Sequence, residues 1–267
     1  MAIELSALRR IGQGRAAEVF ELDAERVIKV ARDAADASLE REAAALRAAH
    51  GAGMPVPAVH ELVEVDGRRA LVMQRATGTD MLTGFARKPS TLLGAGSKLG
   101  RLHARLHDTP APSGLPTAHE VIERRISESP DVADDVRARA SSVLRELPDG
   151  DRLCHFDFHP GNVMASGEEL VVIDWPGACS GDPLADVAAT LIALRGGKTT
   201  PGTPLVTRLF APLGRRLLLG GYQRGYRATR TIDGEALARW LIVVAALRLT
   251  YAIPGERELL LATIMGR

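Results

Sequence analysis

Over the first third of the chain, apolar and polar positions alternate in short bursts. Leu5–Ile11, Ala17–Leu22 and Arg26–Ala31 are brief segments rich in Val, Ile and Phe, separated by turn residues at Gly12-Gln13-Gly14 and Asp23-Ala24-Glu25. That spacing predicts hairpins of an antiparallel sheet. From Asp36 to Ala49 the period changes, and Leu39, Ala43 and Leu46 fall on one helical stripe. Gly51 and Gly53 end this helix, and Pro55 and Pro57 block any return to it. Two further strands, Val59–Val65 and Arg69–Gln74, flank the hairpin turn Asp66-Gly67.

Gly78 marks a boundary, and beyond it helical patterns dominate. They cover Leu92–His107, Ala118–Ser127, Asp131–Glu146, Leu184–Leu194, Leu205–Tyr226 and Gly234–Tyr251, with loops at Thr109–Pro116 and Gly196–Pro204. Residues 153–175 break the pattern. There Asn162-Val163-Met164 and Leu170-Val171-Val172-Ile173 flank a Ser166-Gly167 turn and predict a β-hairpin. The division is therefore a small sheet unit, 1–76, followed by a larger helical unit, 77–267.

The 46% apolar and 25% charged content of these 267 residues is that of a soluble globular protein, and a net charge of +1 gives no global pull toward nucleic acid or a membrane surface. No apolar run approaches the roughly 18 residues of a membrane span, and Met1–Arg10 lacks the pattern of a signal peptide. The two cysteines, Cys154 and Cys179, are far apart in sequence and expected to pack as small apolar groups, in keeping with a reducing cytoplasm.

Candidate chemistry concentrates in His155-Phe156-Asp157-Phe158-His159-Pro160-Gly161-Asn162 and the later Asp174. Phosphoryl transfer asks for a carboxylate near the attacking hydroxyl and hard oxygen ligands for metal ions on the phosphates. Asp157 would take or orient the hydroxyl proton, and Asn162 and Asp174 would hold Mg2+. Lys29, in an apolar strand, needs a partner because burying a lone ammonium is costly, and Glu42 is the best candidate. A transition-metal site at His155, Asp157 and His159 is the rival reading, but it leaves Asn162 and Asp174 without a task. His103 and His107, four residues apart, could bind a metal; they are expected instead to line one helix face, with His107 as a favoured cation near the helix end.

The pattern His-x-Asp-x-x-x-x-Asn, followed by an Asp at the end of a hairpin, resembles the aminoglycoside phosphotransferase and choline kinase branch of the protein-kinase-like fold. The resemblance covers residues 8 to about 195 and implies an α+β, two-lobed protein with an antiparallel-sheet N-lobe and a helical C-lobe. It implies that Lys29, in Val27-Ile28-Lys29-Val30, binds the α/β-phosphates of ATP and pairs with Glu42. It places an adenine-binding hinge at Leu71–Ala76, with Met73 lining the pocket and the Gln74 carbonyl and Ala76 amide meeting the base. Gly12 and Gly14 would cover the phosphates, Asp157 would be the catalytic base, and His155 and Asp186 would support the catalytic loop. One departure stands out: the family's usual glycine before the catalytic Asp is Phe156 here.

The expected activity is ATP- and Mg2+-dependent phosphorylation of a hydroxyl on a small molecule such as an antibiotic, a sugar or an amino alcohol, by a cytoplasmic monomer or weak homodimer. The basic residues between 187 and 254 argue against a strongly cationic acceptor if they line the site. Two alternatives stay open: a nucleotide-binding pseudokinase with a sensing or scaffolding role, and a metal-dependent hydrolase built on the His/Asp cluster.

Overall fold

Asp66 and Gly67 both adopt left-handed backbone, φ +51° and +71°, the geometry a two-residue hairpin turn requires. They join β4 (Val59–Val65) to β5 (Arg68–Gln74). With β1 (Arg9–Gln13), β2 (Ala17–Glu21) and β3 (Arg26–Ala31) these form an antiparallel sheet in the order β1-β2-β3-β5-β4. This is a computed structural model describing residues 3–14, 16–33, 37–196 and 205–266, with side chains described throughout except over 205–211. The predicted start of the first helix at Asp36, and the loop from Gly197 to Pro204, lie outside the described residues.

Alternation along β3 sends Ile28 and Val30 to one face, where they pack with Leu5, Val65, Ala70 and Val72. Lys29 and Ala31 take the other face, beside Leu71, with which Lys29 is in register. Helix α1 (Ser38–Gly51) covers that side, and its predicted stripe of Leu39, Ala43 and Leu46 is buried in the main core. Gly53, at φ +73°, closes the helix with its amide on the His50 carbonyl.

Gly78 has φ +98°, and a Cβ there would lie 2.2 Å from the Ala165 carbonyl oxygen. Only glycine fits where the chain leaves the sheet and pairs β6 (Thr79–Asp80) with β8 (Val163–Ser166), itself paired with β9 (Glu169–Val172). A second small pair joins β7 (Arg152–Cys154) to β10 (Cys179–Gly181). The helices are α2 (Met81–Arg87), α3 (Leu92–Leu106), α4 (Ala118–Glu128), α5 (Asp134–Leu144), α6 (Pro183–Gly196), α7 (Leu205–Arg227), α8 (Gly234–Leu249) and α9 (Arg257–Met265). No helix among the described residues is long and apolar enough to cross a membrane.

The main departures from expectation are local. Leu5–Ala7 is a 3-10 turn and the first strand begins at Arg9, so the predicted strand Leu5–Ile11 starts four residues late. α3 is broken at Gly94 (φ +80°), so its regular turns begin at Ala95. Cys154 and Cys179, distant in sequence, are cross-strand partners; both are buried free thiols, and burial pushes that of Cys154 well up.

Candidate active site

The site gathers where β3, α1 and the turns around the β8–β9 hairpin meet. Lys29 is 7% exposed and Glu42 1%. The Lys29 ammonium donates to Glu42 Oε1 and to Asp174 Oδ1, each at 2.8 Å. Glu42 Oε1 also accepts the Trp175 amide at 3.2 Å. Burial pushes the Lys29 pKa down, but the two carboxylates outweigh it, so the ammonium is held charged above its ordinary range. Asp174 adopts φ +65° and its side chain is 48% exposed, so one carboxylate sits between a buried lysine and solvent.

The Asp157 side chain is 46% exposed. Asn162 Nδ2 donates to both the backbone carbonyl and the carboxylate Oδ2 of Asp157, at 2.9 and 3.0 Å. Burial raises the Asp157 pKa, but the hydrogen bond and charge of His159 outweigh it and bring it below the ordinary value, so the carboxylate is ionised at neutral pH. His155 is fully buried and neutral, its pKa depressed by burial. Its Nδ1 accepts the Asp157 amide at 3.2 Å and its Nε2 lies 3.1 Å from the Ile173 carbonyl. With both ring nitrogens turned to backbone, His155 ties the Asp157 turn to the Asp174 turn. Among the described residues, His155, Asp157 and His159 do not form a metal-ligating cluster.

Asp186, on α6 and fully buried, accepts the His155 amide on Oδ2 at 2.5 Å and the Phe156 amide on Oδ1 at 2.9 Å. Phe156 itself has φ +62°. The place where the family resemblance led to an expected glycine is thus a left-handed position, and Phe156 holds it while its ring packs beside the Cys154–Cys179–Ala118 cluster.

The other predicted residues are distributed around this centre. Gly12 lies in β1, and the Gly14 amide closes the β1–β2 turn on the Ala17 carbonyl at 2.8 Å; Arg15 lies outside the described residues. Met73 packs against the main core, and β5 ends at Gln74, whose amide and side-chain oxygen bond Ala58, so Ala76 lies in the segment leading to Gly78. His107 departs from expectation: it is fully buried, and desolvation lowers its pKa to about 4, so it is neutral rather than a helix-end cation. Tyr222 and Tyr226, which the sequence reading passed over, contact the two histidines; their own four-residue spacing, matching that of the histidines, was the available signal.

Residues 7–230 match the model of a family described as the phosphotransferase enzyme family. The match runs past residue 195 and takes in α7. A 99-residue stretch is 33% identical to streptomycin 6-kinase of Streptomyces griseus, covering 33% of this chain and 32% of that protein. The chain therefore matches about a third of that relative's length. A choline/ethanolamine kinase family protein from Mesorhizobium loti superposes over 99% of this chain and 88% of its own, with a TM-score of 0.62 at 20% identity. The amicoumacin kinase hAmiN, solved with AMP-PNP, Ca2+ and Ami, covers the same shares with a TM-score of 0.68 at 14% identity. At these identities the two structures speak for the fold, the expected sheet lobe joined to a helical lobe.

Proposed function

Because this chain belongs to the phosphotransferase enzyme family, we propose that it transfers the γ-phosphoryl group of ATP to a hydroxyl of a small molecule, with Asp157 as the base. The observation that carries this is the ionised, half-exposed Asp157, bonded to Asn162 and tied through His155 to the turn that brings Asp174 to Lys29 and Glu42.

The donor set fits a nucleotide and a hard cation. Asn162 spends its amide protons on Asp157, which leaves its side-chain oxygen available. Asp174 gives one oxygen to Lys29, and its other oxygen and that of Asn162 would hold Mg2+. Magnesium-bound ATP supplies the electrophilic phosphorus and the cation that offsets charge on the phosphate oxygens. Lys29, fixed by Glu42, would bind the α/β-phosphates. The Gln74 carbonyl and Ala76 amide would meet the adenine beside Met73, and the turn carrying Gly12 and Gly14 would cover the phosphates. Asp157 would orient the acceptor hydroxyl and take its proton.

The acceptor would be an antibiotic, a sugar or an amino alcohol, and the partial match to streptomycin 6-kinase supports an aminoglycoside. The arginine excess weighs less against a cationic acceptor than the sequence suggests. Arg230 pairs with Asp108, Arg239 with Glu146, and Arg248 with Glu256, so three of these charges are neutralised locally. Calorimetric titration with ATP tests the nucleotide reading. Binding tightened by magnesium is expected in the wild type, and Asp174→Asn should lose that increment. Wild-type protein that binds no nucleotide in the presence of magnesium would refute it.

A further inference from the structure

Helices α3 and α7 meet along glycine. A Cβ on Gly100 would lie 2.1 Å from the Tyr222 carbonyl oxygen, and one on Gly225 would lie 2.1 Å from the Ser97 carbonyl oxygen. This approach sets two tyrosines of α7 on two histidines of α3. The Tyr222 hydroxyl lies 2.8 Å from His103 Nδ1 and the Tyr226 hydroxyl 2.7 Å from His107 Nδ1. The Nε2 atoms of both rings lie 3.1 and 3.4 Å from one oxygen of Asp186. All five side chains are buried. Asp186 in turn holds the His155 and Phe156 amides, and the His103 ring stacks on Phe158 at 4.1 Å. The cluster therefore grips the chain on both sides of Asp157.

A neutral imidazole offers one N–H and one lone pair. A tyrosine hydroxyl can donate to Nδ1 only when the ring proton is on Nε2. Burial keeps both phenols protonated, their pKa values pushed up. With the ring proton on Nε2, His107 donates to Asp186 Oδ2 and the His103 N–H lies beside the same oxygen without hydrogen-bond alignment, whereas the opposite tautomer sets a lone pair of each ring against an anion.

We propose that Tyr222 and Tyr226 are positioning residues: they hold His103 and His107 in the Nε2–H tautomer, with that edge of each ring beside Asp186, so that the packing of α7 fixes the 155–158 turn around Asp157. The catalytic consequence rests on the kinase reading; the tautomer and the coupling do not.

Two-bond 1H–15N correlation on histidine-labelled protein reads the tautomers directly. Both rings of the wild type should be Nε2–H. Tyr222→Phe and Tyr226→Phe should each admit the Nδ1–H form in the ring that loses its hydroxyl. The same variants should speed exchange of the His155 and Phe156 amides, while the β3–β5 amides stay as protected as before. With an accepted substrate, kcat should fall about tenfold with nucleotide affinity unchanged. Wild-type Nδ1–H rings, a metal-bound Nε2, or Phe variants with unaltered tautomers and exchange would overturn the proposal. A wild type that binds no nucleotide yet shows the predicted tautomers and exchange would sink the kinase reading alone.

Discussion

Lys29 and Glu42 meet at 2.8 Å with both side chains almost wholly removed from water. Such a pair stabilises little relative to apolar residues, but breaking it strands a buried charge. Lys29→Met should cost about 3–5 kcal/mol in urea unfolding and weaken nucleotide binding at least tenfold, about 1.4 kcal/mol. Lys29→Met with Glu42→Leu should recover much of the stability and none of the binding. A double variant that binds nucleotide like the wild type would show that the pair serves structure alone.

At position 156 the ordinary ranking of glycine and alanine should invert. Phe156 has φ +62°, a conformation costing residues with a Cβ about 1–2 kcal/mol. Elsewhere glycine is less stable than alanine by roughly 0.5–1 kcal/mol. Here Phe156→Gly should be more stable than Phe156→Ala by about 1 kcal/mol, although both lose the ring's packing against the cysteine cluster. Urea unfolding of the two variants decides it, and alanine proving the more stable would contradict the strain argument.

Stability should fall with acid well before the carboxylates titrate. The folded pKa of His107 is about 4, against 6.5 when unfolded. The unfolded chain therefore binds more protons between those values, so stability is intact above pH 6.5 and drains as pH falls toward 4. At pH 5 the loss from His107 is about 2 kcal/mol relative to pH 7. His155, also depressed, acts in the same direction. Unfolding free energies at the two pH values test this. A flat profile between them would mean that His107 is not held neutral.

The hairpins of the N-lobe were legible because turn residues and period-2 alternation are local signals. The left-handed Asp66 and Gly67 are what that pair predicts. The Asp157, Asn162 and Asp174 constellation was legible because one turn and one hairpin carry it. α2 escaped because it is only seven residues long and includes Gly84; its clearest signal is Asp80, which caps it by accepting the Thr83 amide. β7 and β10, three residues each, are too short to show a period. His107 was misread because a helix-end rule presumes exposure, whereas complete burial makes desolvation decisive. The pairing of Tyr222 with His103 depends on how closely α3 approaches α7. Gly96, Gly100 and Gly225 permit that approach, but their spacing names no partner.

The most direct test of the central claim is Mg2+-dependent ATP consumption by wild type and Asp157→Asn across a pooled set of antibiotics, sugars and amino alcohols. The wild type should show acceptor-dependent turnover, and Asp157→Asn should lose about 10²–10⁴-fold of it while binding nucleotide as before. Asp157→Asn turning over an acceptor at the wild-type rate would contradict the assignment of Asp157 as the base.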